Sequence, residues 1–158
     1  MITVDQILKI QRDVGESWLI GAEETQYRDM LERLVAEQHG CNLLIWEYED
    51  AARTDTPHAS KLTRQRQEAN RRRNKLTSDI DRLFLPISPD GEMHTETPGM
   101  IIDRLSILEV GRLHGMENST QIVSLAQGLR KLLADVWAGR KQYQIHPIQK
   151  AYADENEE

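Results

Sequence analysis

The chain has one cysteine, one phenylalanine and no apolar run near the roughly twenty residues that a membrane-spanning helix needs. Each shortage excludes something. A lone Cys41 cannot close an intramolecular disulfide, so packing must hold the fold and a reducing compartment is expected. The opening MITVDQILKI lacks the basic start and apolar stretch of a secretory signal. The expected location is therefore cytoplasmic, with no membrane partner. Aromatics make up only 5%, so Leu, Ile and Val must supply the core. Positive charge is in deficit too: a net charge of -6 argues against nucleic acid as the main partner. Strand-like alternation is sustained nowhere, and Val and Thr are sparse, so no sheet is expected.

What is present is helical spacing. With 39% hydrophobic and 29% charged residues over 158 positions, the chain reads as one globular domain over 1–150. An acidic tail, 151–158, is expected to fray. The first helix is TVDQILKIQRDVGESWLI, capped by Thr3 or Asp5 and ended or weakened at Gly15. A second runs from about Glu23 to Arg53, and Pro57 separates it from a third, about His58 to Leu85. Pro98 opens a fourth helix to about Leu113, and Asn118 or Ser119 caps a fifth from Thr120 to Trp137. The expected fold is all-α, an antiparallel bundle of about five helices.

Three stretches carry unusual polar content. In the second helix, His39, Asn42, Trp46, Glu49, Asp50 and Arg53 recur at spacings of three or four, on one continuous face. In the third, Asn70 and Asn74 share a face with Gln67 and Asp81, with Arg73 beside them. Asparagine is a poor helix former, because its amide competes for the backbone, so a mid-helix pair needs partners elsewhere. The fourth opens as TETPGMIIDRLSIL, where Thr97 caps and Pro98 starts the helix. Its free first-turn N–H groups attract anions, and Gly99 allows close approach. Asp103, Arg104 and Ser106 then sit among Ile101, Ile102 and Leu105. The plainer alternative for each stretch is a solvated seam or a capped helix with local ion pairs.

Other chemistries fit less well. The Glu-x-x-His pattern of di-iron bundles is absent, and EYED lacks the spacing of the acidic pairs in all-helical nucleotide pyrophosphatases. Cys41 and His39 are two residues apart on a helix and face away from one another, so they form no nucleophilic pair. No metal ligands are assigned.

Together the segments resemble a bacterial all-helical family known only as a domain of unknown function. The resemblance rests on His39-x-x-Asn42-x-x-x-Trp46-x-x-Glu49-Asp50-x-Ala52-Arg53, on Asn70-x-x-Arg73-Asn74 with Asp81, and on TETPGMIIDRLSIL. It covers about 35–115. Gln67 and Lys75 stand where that pattern has acids. The resemblance implies the fold and a site, not a reaction.

The leading expectation is a protein that binds a small anionic ligand, such as a nucleotide, a nucleotide-derived signal or a nucleotide sugar, in a polar pocket inside the bundle. It would be a carrier, a sensor or a sequestering sponge. Arg53 and Arg73 would meet phosphate, Trp46 would stack, and Asn42, Asn70, Asn74 and Asp103 would fix hydroxyls. The alternatives are a hydrolase or transferase using Glu49, Asp50 or Asp103, with Mg²⁺ entering only on that reading, and a bundle that binds only partner proteins. A homo-oligomer is expected, from Trp18, Leu19, Ile20, Leu129, Leu132, Leu133 and Trp137.

Overall fold

A computed structural model describes residues 1–23, 25–84 and 88–145. Five α-helices carry the architecture: α1 (Val4–Ile20), α2 (Met30–Thr54), α3 (Ala59–Leu83), α4 (Pro98–Leu113) and α5 (Ser119–Trp137). Between α2 and α3 lies a single 3-10 turn, Thr56–His58. The acidic tail lies outside the described residues.

Local chemistry sets the helix starts. Thr3 caps α1 by accepting from the Gln6 N–H, while the Gln6 side chain accepts from the Thr3 N–H. Asp29 accepts from the N–H groups of Leu31 and Glu32, so α2 begins at Met30 and not near Glu23 as the periodicity suggests. Gly15 neither ends nor interrupts α1. A Cβ there would lie 3.3 Å from Leu113 Cδ2 and 3.5 Å from His39 Nε2, so its smallness lets α1 settle on α2 and α4. Asn118 does not cap α5 through its side chain; its amide donates instead to the Leu108 carbonyl at 3.0 Å, which ties the α4–α5 turn.

Side-chain pairings show how the helices run. Gln38 meets Thr77, Asn42 meets Arg73 and Glu49 meets Arg66, in opposite order along α2 and α3. Arg73 meets Asp103 and Asp81 meets Gly99, so α3 and α4 are also antiparallel. It follows that α4 runs in the same sense as α2, and the pairs Gln38–Gly99, Asn42–Asp103 and Trp46–His114 keep that order. The core is aliphatic, with Ile7, Val35, Ile80, Ile102, Leu105 and Leu129 fully buried around the lone Phe84.

Two features depart from the sequence reading. Residues Glu92–His94 (β1) and Lys141–Tyr143 (β2) form a short parallel ladder, with Glu92 opposite Lys141 and His94 opposite Tyr143. Three-residue strands leave no alternation to detect. The Tyr143 hydroxyl donates to the Asp81 carbonyl at 2.9 Å, so the ladder anchors the chain just ahead of α4. Second, Leu129, Leu132 and Leu133 are buried in this protomer's own core and offer no surface to another copy. Leu19, Ile20 and Trp137 remain exposed.

The α3–α4 contact is closest at Gly99, where a Cβ would stand 2.5 Å from the Thr77 carbonyl oxygen and 2.8 Å from Asp81 Oδ1. Gly99→Ala is expected to force these helices apart and cost about 1–3 kcal/mol, read as a lower urea midpoint. An unchanged midpoint would show that the contact is not constraining.

Candidate functional site

The three polar stretches meet on the facing sides of α2, α3 and α4. Asn42, 4% exposed, is the node. Its amide nitrogen donates to Asp103 Oδ1 and to Ser106 Oγ, both at 2.9 Å, and its amide oxygen accepts from Arg73 Nη1 at 3.2 Å. The Ser106 hydroxyl also shares a 2.7 Å hydrogen bond with His39 Nδ1. Arg73 Nε stands 3.7 Å from Asp103 Oδ2, beyond hydrogen-bond reach, so that attraction is electrostatic. A second buried branch continues the seam: Gln38 Nε2 donates to Thr77 Oγ1 at 2.9 Å and weakly to the Gly99 carbonyl.

Burial sets the electrostatics. His39 has no exposed surface, and desolvation pushes its pKa down to about 3, so the ring is neutral at physiological pH. Burial raises the Asp103 carboxyl above its ordinary value, while the Arg73 charge and the Asn42 hydrogen bond pull it back. A buried carboxylate needs such partners, since unpaired it would lose several kcal/mol of hydration. Not every atom is matched: Gln11 Oε1, Gln38 Oε1 and His39 Nε2 are buried without hydrogen-bond partners among the described residues.

The remaining residues of the three stretches do other things. Thr97 is buried and caps α4 by accepting from the Met100 N–H. The Gly99 N–H donates to Asp81 Oδ1 at 2.6 Å, so a carboxylate of the protein already occupies part of the α4 N-terminus. Arg104 pairs with Glu96, not with Asp103. Asn70 and Asn74 are half-buried on α3, with no side-chain hydrogen bond among the described residues. Trp46 stacks on His114, with ring centres 4.5 Å apart and planes inclined by 17°.

Trp46, Glu49, Asp50 and Arg53 lie further along α2 and face open clefts. One, of about 40 Å³, is lined by these four residues. Its larger neighbour, of about 350 Å³, is lined by Tyr48, Glu49, Ala52, Arg53, Leu62, Thr63 and Arg66. None of the Asn42 network lines either cleft. Arg66 holds Glu49 at 3.5 Å, whereas Arg53 has no ion pair among the described residues. Arg66 and Tyr48 escape a reading of the sequence. Arg66 lies among other cations on a polar helix, and only the antiparallel seating of α3 on α2 brings it opposite Glu49. Among the described residues no group of three His, Cys, Asp or Glu could hold a metal ion.

The architecture is thus an all-helical bundle with a hydrogen-bonded polar seam and a cation-lined cleft beside it. The chain belongs to the family described as protein of unknown function (DUF4254), whose model matches residues 32–122. That match takes in the seam and both clefts and leaves out α1 and most of α5. No curated protein and no solved structure matches the chain. Among the described residues no helix is long and apolar enough to cross a membrane.

Asp103→Asn is expected to leave the helical circular dichroism intact and to cost about 1–3 kcal/mol, because Arg73 loses its counter-charge in a partly buried place. His39 makes stability depend on pH. Its ordinary value is 6.5, so as pH falls below that the unfolded chain takes up a proton that the folded chain refuses. Stability should therefore drop toward pH 3, by at most about 1.4 kcal/mol per pH unit. Asp103 acts in the opposite sense close above 3.8, so the His39 slope is cleanest nearer 6.5. A His39→Gln variant should lose that slope, and urea titrations at stepped pH would measure it.

Proposed function

We propose that this protein binds a small anionic ligand, carrying phosphate or carboxylate, in the cleft between the C-terminal half of α2 and the first turns of α3. The observation that carries this reading is Arg53. It lines both clefts and has no ion pair among the described residues, while its neighbour Glu49 is engaged by Arg66. An unpaired guanidinium at a concave site is suited to an oxyanion, which it can grip with two parallel hydrogen bonds.

The surroundings support the same reading. Tyr48 and Leu62 give the cleft an apolar wall, Thr63 offers a hydroxyl, and Arg66 is a second cation. Among the described residues no side chain caps the start of α3, so its first N–H groups favour negative charge nearby. A volume of about 350 Å³ falls within the range of small-molecule sites and suits a ligand of mononucleotide size. On this reading the Asn42 network is the rigid floor on which α2 and α3 are held, and the protein acts as a cytoplasmic carrier, sensor or sequestering protein for its ligand.

Thermal denaturation with pyrophosphate, AMP and UDP-glucose tests the reading. A fitting ligand at 100 times its Kd should stabilise by about 2.7 kcal/mol. Arg53→Gln should remove that gain, while Asp103→Asn, although less stable, should keep it. Failure of all three probes, or undiminished binding by Arg53→Gln, would sink the proposal. Mg²⁺-dependent disappearance of AMP or UDP-glucose in the same samples would favour a hydrolase or transferase instead.

A further inference from the structure

From Ser119 to Leu129 the chain carries no charged residue, in a protein with 29% charged residues. This stretch is not core. Thr120, Gln121, Val123, Ser124, Gln127 and Gly128 are all exposed, Val123 at 57%. Thr120, Gln121, Ser124, Leu125 and Gly128 of α5 and Ile107 and Leu108 of α4 line a shallow groove of about 630 Å³, with Arg104, which is paired to Glu96, at its edge. Nothing lies within 4 Å of where a Cβ on Gly128 would stand, so the groove floor is open to a close neighbour. Exposed grooves with apolar walls, such as those that Ile107, Leu108 and Leu125 give here, mark interaction surfaces.

The charges flanking the stretch say what fits. Glu117 stands just ahead of it, and Arg130, which pairs with Asp5, and then Lys131 follow it; Glu117 and Lys131 are each seven residues from Ser124. Seven residues are almost two full turns, so Gln121, Ser124, Gly128 and Lys131 follow one face of α5, while Glu117 stands two residues ahead of the first turn, at the N-terminal end of the helix. Both Glu117 and Lys131 are exposed, and neither has an ion pair among the described residues.

We infer that this face binds a second copy of the same chain, with the two α5 helices crossing antiparallel about a two-fold axis at Ser124. Around such an axis each residue meets its mirror position, so Glu117 of one copy faces Lys131 of the other, twice. Thr120 then faces Gly128, whose missing side chain leaves room for close approach. A two-fold contact brings identical residues together at its centre, where any charge would meet its own sign. In a chain of net charge -6, an uncharged centre with opposite charges at its ends satisfies that requirement. This surface is distinct from the Arg53 cleft and does not depend on it.

Sedimentation velocity of the full chain over roughly 1–100 µM tests the inference, since a small helix-pair interface gives a weak, concentration-dependent dimer. A dimer is expected at the upper end. Glu117→Lys and Lys131→Glu should each weaken it by about 3–10-fold, and the double charge reversal should restore it. Gly128→Glu should leave a monomer with unchanged circular dichroism, because glycine is the poorer helix former. A wild-type monomer throughout, a dimer that survives Gly128→Glu, or one indifferent to the single charge reversals would overturn the proposal. So would a monomer that binds an apolar fluorophore in this groove, which would assign the groove to a small apolar ligand.

Discussion

One amide joins three helices. Asn42 uses both hydrogens and its oxygen on partners from α3 and α4, so the register of α2 against each is fixed by directional bonds as well as by packing. Aliphatic side chains around Leu43, Leu105 and Ile80 would accept small slides with little change in buried area. The hydrogen bonds would not, because each slide would strand a buried donor or a partly buried charge. That explains why a helix with Ile101, Ile102 and Leu105 also keeps Asp103 and Ser106: the polar pair specifies which arrangement of the aliphatic core is adopted.

The small residues follow from the same requirement. Bonds of 2.9 Å between side chains as short as Asn, Asp and Ser need closely spaced backbones. Those bonds join α2 to α4; Gly99 likewise lets α4 come close to α3 at Thr77 and Asp81, and Gly15 lets α1 settle over His39 and Leu113. Thr97 then starts α4 at the right residue, and the Tyr143 hydroxyl on the Asp81 carbonyl holds the approach to it. The unmatched atoms of Gln38 and His39 lie along the same seam, and Gln11 bonds the Ile102 carbonyl beside it; burial of the neutral His39 ring makes this region sensitive to acid.

Most polar groups of this seam are matched within it. Its carboxylate, hydroxyl and amide are spent on one another, whereas Arg53 is not. The same helix face therefore divides in two: its first half, His39 and Asn42, lies within the hydrogen-bonded seam, and its second half, Glu49 to Arg53, borders open clefts. Helical periodicity cannot separate these halves, because it records direction around an axis and not distance from the bundle's middle.

Much of this was legible in the chain itself. The all-helical class, the starts of α1 and α4 and the shared polarity of the His39, Arg73 and Asp103 segments follow from local rules: caps, proline, and side chains repeating every three or four residues. What those rules do not contain is the order of the helices in space. Only the assembled bundle decided that Asp103 meets Asn42 and Arg73 while Arg104 turns out to Glu96, that Gly15 is a packing contact and not a break, and that Arg66 stands opposite Glu49. It also decided that three leucines of α5 face inward and its uncharged side faces out. The reason is range: capping and periodicity act over four residues, while each of these outcomes joins helices distant in sequence, through bonds that exist only once the chain is folded.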